Sequence, residues 1–191
     1  MLQLIVGLVL FIGMHSVSII SRPWRDAMAA RLGEWPWRIV YSVVSLVGIV
    51  LVVRGYAAAR LDPVVLWAPP GWTHHIAMLL MLFAFPALFA AYLPGRIQAT
   101  LKHPMLVAVK TWALAHLITN GTLAALLLFG GFLAWAVVDR ISLKRRSQGP
   151  MVQAPASKAN DIIAVVAGLV TYVVFLFWLH GALFGVALVT R

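Results

Sequence analysis

The stretch from Pro104 to Val138, PMLVAVKTWALAHLITNGTLAALLLFGGFLAWAVV, decides how many times the chain crosses a membrane. As a single helix these 35 residues would run about 52 Å, too long for a hydrocarbon core of about 30 Å. The chain must turn inside the stretch. Asn120-Gly121 is the natural place, because both residues tolerate left-handed backbone angles and nothing else there interrupts the apolar pattern. One apolar run is thereby read as two spans, 104–119 and 121–138.

Working outward, further apolar runs fall at 2–20, 38–58, 73–92 and 162–187. The expected fold is therefore an all-α integral membrane protein, a six-transmembrane-helix bundle in which residues 1–191 form one domain. Composition agrees: 63% of residues are hydrophobic and 10% charged, with a mean hydropathy of +0.96, which excludes a soluble globular domain. Six spans consume about 120 residues and leave no room for a separate soluble domain. The segment from Asp139 to Asp161 differs in kind, with Ser, Gln, Gly, Pro, Ala and Lys dominating, and is expected to be a flexible cytoplasmic loop.

A net charge of +10 raises nucleic acid as a partner, but the basic residues sit in clusters between apolar runs, the pattern that encodes membrane orientation. The partner expected is the lipid bilayer, with no nucleic acid. Arg22, Arg25, Arg31, Arg38, Arg96, Lys102, Arg140, Lys144, Arg145, Arg146 and Lys158 fall on one side of the six-span topology, against Arg54, Arg60 and Arg191 on the other. A five-span chain would lose this asymmetry. Both termini are thus expected to be non-cytoplasmic, in a multi-pass protein of the cell inner membrane. Residues 1–20 lack a basic leading region and a small-residue cleavage site, so they read as a retained first helix.

The chemistry available is narrow. With no cysteine, thiolate ligands, iron-sulfur clusters, disulfides and cysteine nucleophiles are ruled out. The acidic residues Asp26, Glu34, Asp62, Asp139 and Asp161 are all expected at or beyond helix ends, so paired-carboxylate catalysis has no candidates in the membrane. Histidines remain: His15, His74, His75, His103, His116 and His180. Ionisable groups at membrane depth face a bundle interior, where they pair, relay protons or bind something. His74 and His75, at the start of the third span, read as interfacial. His103 and His116 share a helix but stand 13 residues apart, about 20 Å of rise, and point to nearly opposite faces. His116 has Trp112 and Asn120 one turn before and after it, a polar and aromatic wall. Depth alone pairs His15 with His103, or His116 with His180 or His75. Histidines on facing helices without acid or thiolate ligands suit a b-type haem, and Gly7, Gly48 and Gly55 offer room for one or, equally, close helix packing.

Several stretches then carry a resemblance: Gly13-Met14-His15-Ser16, Gly33-Glu34 with Arg38 and Tyr41, Gly55-Tyr56, Leu66-Trp67, His103-Pro104 through Trp112-Ala113-Leu114-Ala115-His116-Leu117 to Asn120-Gly121, and Leu179-His180-Gly181. Together they resemble the NnrU family, associated with nitrite and nitric oxide reduction and including plant zeta-carotene isomerase. The resemblance implies haem b, with His15 and His116 as axial ligands and His103 as a further motif histidine, expected to be catalytic; Trp112 and Asn120, on the His116 face, are expected beside the cofactor. His180 stands as an additional metal-ligand candidate. The plant enzymes have a cysteine where this chain has Ala113 and a histidine near the end of helix 2, where it reads Tyr56-Ala57-Ala58-Ala59-Arg60.

The function expected is that of a haem b membrane protein supporting nitrite and nitric oxide reduction, acting with an apolar small molecule or gas and with respiratory membrane proteins. The alternatives are a haem-dependent carotenoid cis-trans isomerase, a non-enzymatic accessory or assembly subunit of a respiratory reductase, and a membrane methyltransferase. The last rests on Lys102-His103-Pro104, which resembles the start of a helix in isoprenylcysteine methyltransferases.

Overall fold

The computed structural model describes residues 1–145 and 153–189. It is helical, with one isolated antiparallel bridge, Val65 to Thr122, and no strand among the described residues. The helices are α1 (Leu2–Ile20), α2 (Arg22–Leu32), α3 (Glu34–Ala59), α4 (Thr73–Ala90), α5 (Arg96–Leu101), α6 (Pro104–Thr119), α7 (Leu123–Ser142) and α8 (Asn160–Phe184). Five of them, α1, α3, α4, α7 and α8, are long and apolar enough to cross a membrane. The sixth expected span, α6, has 16 residues, about 24 Å, short of a full hydrocarbon core.

Packing divides the chain into two compact units, Met1–Ala68 with Asn120–Arg146, and Pro69–Thr119 with Ser147–Arg191. The Asn120-Gly121 turn is where the chain passes from the second unit to the first.

In the first unit α1 packs along α3 and touches α7. Glycine sets the α1–α3 approach: a Cβ on Gly7 would lie 2.5 Å from the Val52 nitrogen, and one on Gly48 would lie 2.8 Å from the Phe11 nitrogen. Gly55 meets the backbone of Leu4 in the same way. The room these glycines leave is filled by the neighbouring helix backbone, which is helix packing and not a porphyrin slot. Helix α2 was not foreseen, because its composition is mixed and its sequence reads as a loop. It is started by Ser21, whose hydroxyl accepts from the Trp24 nitrogen at 3.3 Å, with Pro23 in the first turn. Gly33, at φ 87°, breaks the chain between α2 and α3 in a conformation that side chains rarely adopt.

The turn before α7 falls where expected, for a different reason. Neither Asn120 nor Gly121 has a positive φ. Instead the Trp67 carbonyl occupies the place of a Gly121 Cβ. The Gly121 carbonyl accepts from the Leu66 and Trp67 nitrogens at 2.8 and 3.1 Å, and Leu123 N–H donates to the Val64 carbonyl at 2.9 Å. Glycine is needed for close backbone approach, not for handedness. Helix α7 also runs on to Ser142, past the expected end at Val138, so Asp139 lies within its last turn and is 9% exposed.

In the second unit α4 packs against both α6 and α8. Gly168 of α8 lies on Pro86 inside α4, where a Cβ would come within 2.5 Å of the proline nitrogen. The Asp161 carboxylate caps α5 from far along the chain, accepting from the Arg96 and Ile97 nitrogens at 2.9 and 3.0 Å. Nearby, Asn160 donates to the Pro94 and Pro155 carbonyls at 2.8 and 3.1 Å, and Ala154 N–H to the Tyr92 carbonyl at 2.9 Å. The described end of the segment read as a flexible loop is therefore anchored to the α4–α5 turn; residues 146–152 of it lie outside the described residues.

Candidate functional site

Three of the six histidines, His15, His116 and His180, lie beyond the first turn of an apolar helix, and each, like His74 at the start of α4, holds one ring nitrogen against a backbone carbonyl. His15 Nδ1 is 2.7 Å from the Phe11 carbonyl, His116 Nδ1 2.9 Å from the Trp112 carbonyl, and His180 Nδ1 2.8 Å from the Val186 carbonyl. A carbonyl only accepts, so Nδ1 carries the proton in each case and Nε2 keeps its lone pair. Metal-binding histidines are prepared in this way, because the bond fixes both tautomer and ring orientation.

The second unit brings two of these rings together. His116, three residues before the end of α6, and His180 of α8 have ring centroids 6.4 Å apart with planes 29° from parallel. Trp112 lies 5.3 Å from the His116 ring and Phe184 lies 5.2 Å from the His180 ring, so each histidine has an aromatic neighbour one turn away on its own helix. The Thr119 hydroxyl donates to the Ala115 and His116 carbonyls at 3.1 and 3.2 Å and closes the end of α6. The placement of His180 depends on a π-turn, Phe175–Leu179, immediately before it. An extra residue in that turn shifts the register of everything after it, so helical periodicity alone could not have placed the ring. The chain then folds back after Gly185, at φ 68°, and delivers the Val186 carbonyl to His180.

His15 belongs to the first unit. Its ring stacks on Phe11 at 4.2 Å and has Tyr41 and the edge of Trp135 at 5.2 and 5.9 Å. The Nε1 of Trp135 is buried without a hydrogen-bond partner. Beside His15 a cavity of about 390 Å³ opens between α1, α2 and α3. Its polar lining is His15, Ser18, Arg25, Arg38, Tyr41 and Ser42, and its apolar lining Met14, Val17 and Trp37. Sequence reading missed this cavity, since the arginines were taken only as markers of orientation.

The other predicted residues lie elsewhere. His103 precedes α6 and is half-buried. Because α6 is unbroken from Pro104 to Thr119, His103 and His116 remain about 20 Å apart along it. His103 is set by a tight turn: Lys102 takes φ 62° and ψ −43°, and the His103 nitrogen donates to the Leu101 carbonyl at 2.7 Å across it. This positive-φ γ-turn is rare and strained for a residue with a side chain. Asn120 lies past the end of α6 and is assigned to the first unit, while Trp112 stands at the His116 ring. His74 and His75 are exposed at the start of α4, as interfacial residues would be. Among the described residues no group of three or more His, Cys, Asp or Glu side chains stands ready for a metal ion; the His116–His180 arrangement is a pair.

The family model described as NnrU protein matches residues 3–188, and the chain belongs to that family. Neither the curated proteins nor the solved structures give a match to it.

Proposed function

We propose that this NnrU-family protein is a haem b protein of the inner membrane that supports nitrite and nitric oxide reduction, with His116 and His180 as axial ligands. The observation that carries the reading is the His116–His180 pair, with each Nδ1 committed to a carbonyl and the rings 6.4 Å apart. His116 and His180 would be the residues that hold the haem iron, each offering a neutral imidazole nitrogen. The donor set fits: two neutral imidazoles, with apolar and aromatic residues around them. When bound, haem would supply an iron centre for one-electron chemistry or for holding a small gas. The protein's own part is to fix the two rings and to surround them with Trp112 and Phe184.

A gas or an apolar molecule reaches such a site through the bilayer, whereas nitrite would need a cationic path through the spans. This favours a supporting role beside the respiratory reductases over direct nitrite reduction. The full topology belongs to the same proposal: α6 is the sixth span, and the basic clusters place both termini outside the cytoplasm. Reporter fusions at Ser147 and at the C-terminus should then give opposite signals, cytoplasmic at Ser147; same-side signals remove the six-span topology.

Protein purified in mild detergent after haem-sufficient expression should show a Soret band and the pyridine haemochrome of a non-covalent b haem, both lost in His116→Ala. A colourless folded preparation overturns the haem assignment. A deletion strain grown anaerobically on nitrite should lose reductase activity and recover it with the intact gene only. Unimpaired reductases would end the denitrification reading, and accumulation of a carotenoid cis-isomer would replace it with the isomerase one.

A further inference from the structure

The cavity of the first unit answers to a chemistry that the histidine pair does not. Its lining includes His15 of α1 and two arginines, Arg25 of α2 and Arg38 of α3. Three hydroxyls, Ser18, Tyr41 and Ser42, complete a set of hydrogen-bond donors. Both arginines have carboxylate partners: Arg25 Nη1 lies 2.8 Å from Asp26, which Arg22 also approaches at 3.7 Å, and Arg38 Nη2 lies 3.0 Å from Glu34. Those acids are exposed, about half to two-thirds by side chain, and each bond engages one nitrogen of a fork that offers five donors. From Arg22 to Arg38 four arginines face two carboxylates, so two positive charges are uncompensated.

The surroundings indicate how a ligand would arrive. Trp24 and Trp35 are 52% and 74% exposed beside the cavity, and Ile39, Val40 and Val43 of α3 are exposed along the face that follows. Exposed tryptophan beside arginine, at the end of an apolar helix pair, is the composition of a membrane interface, where headgroups are met. The apolar lining, Met14, Val17 and Trp37, suits the first carbons below such a headgroup. At about 390 Å³ the cavity is within the range of small-ligand sites and larger than a bare phosphate needs.

We propose that this cavity binds a phosphate headgroup, with Arg25 and Arg38 gripping the phosphate oxygens and Ser18, Tyr41 and Ser42 as further donors. Arginine suits the task because its planar fork bonds two oxygens of one phosphate at once. The site lies wholly in the first unit.

Native mass spectrometry of the full chain in detergent, supplied with an equal mixture of dioleoyl phosphatidylglycerol and dioleoyl phosphatidylcholine, tests it. The wild type should retain the anionic lipid over the zwitterionic one, and Arg25→Gln or Arg38→Gln should each cut that preference about five-fold. Arg54→Gln, which removes the same charge from the other end of α3, should leave it unchanged. Arg25→Lys and Arg38→Lys, which keep the charge and lose the fork, should show a partial loss, and they serve if the glutamine variants fail to fold. Inorganic phosphate at millimolar concentration separates the sources: failure to displace the lipid assigns a lipid headgroup, and displacement with retained phosphate assigns a free phosphate. Equal retention of the two lipids by the wild type, or equal losses in Arg25→Gln, Arg38→Gln and Arg54→Gln, overturns the proposal.

Discussion

The two units treat histidine by one local rule and to different ends. In both, a histidine on an apolar helix gives its Nδ1 proton to a carbonyl, and in α1 and α6 that carbonyl is one turn back on the same helix. In the second unit the ring then meets another histidine prepared in the same way, whereas in the first it meets Phe11, Tyr41 and Trp135. The difference shows that a prepared histidine is not yet a ligand set. What separates the units is the second ring, brought in by the π-turn of α8 and the folded-back segment after Gly185.

The largest expected effect sets the two units directly against each other. His180→Ala should lower the haem-to-protein ratio of purified protein about ten-fold or more, because one axial ligand is lost. His15→Ala should leave most of the Soret absorbance in place. The reverse pattern would break the comparison and transfer the second ligand to His15, as the family resemblance implies.

A smaller effect sharpens it. Gly7→Leu drives a side chain into the Val52 backbone, an overpacking that costs about 1–3 kcal/mol. It should lower the thermal midpoint in detergent while the absorption spectrum, a property of the second unit, keeps its shape. Loss of the spectrum in step with stability would show that the two units do not act separately.

Much of the fold was legible because the membrane simplifies the code. Apolar runs marked α1 and α4 to within two residues and α6 to its ends. The mixed sequence of α2 carries no such contrast, and its helix depends on Ser21, Pro23 and the break at Gly33. At the site, depth left His15 with His103, or His116 with His180 or His75, as possible pairs, and the rings of His116 and His180 are the ones found 6.4 Å apart. The carbonyl partners were not legible, since Val186 reaches His180 only after a reversal, and a π-turn leaves no mark in a 3.6-residue pattern. Gly7, Gly48 and Gly55 show the opposite problem. A small residue in a membrane helix is equally compatible with a cofactor and with a neighbouring helix, and only the packing of α1 on α3 decides between them.

The passage from one unit to the other at Asn120 also orders the molecule's assembly in time. Helices α1 and α3 are made first, yet the helix that completes their unit, α7, ends at Ser142, 83 residues after α3 ends at Ala59. At about 5–20 residues per second of synthesis, the first helices wait roughly 4–17 s for it. Meanwhile α4, α5 and α6 emerge and must wait in turn for α8. Each unit is closed by a helix made after the other has begun, so the synthesis of the two is interleaved. The early α1–α3 pair, pinned by glycine against backbone, is the part able to persist in the bilayer while the rest arrives.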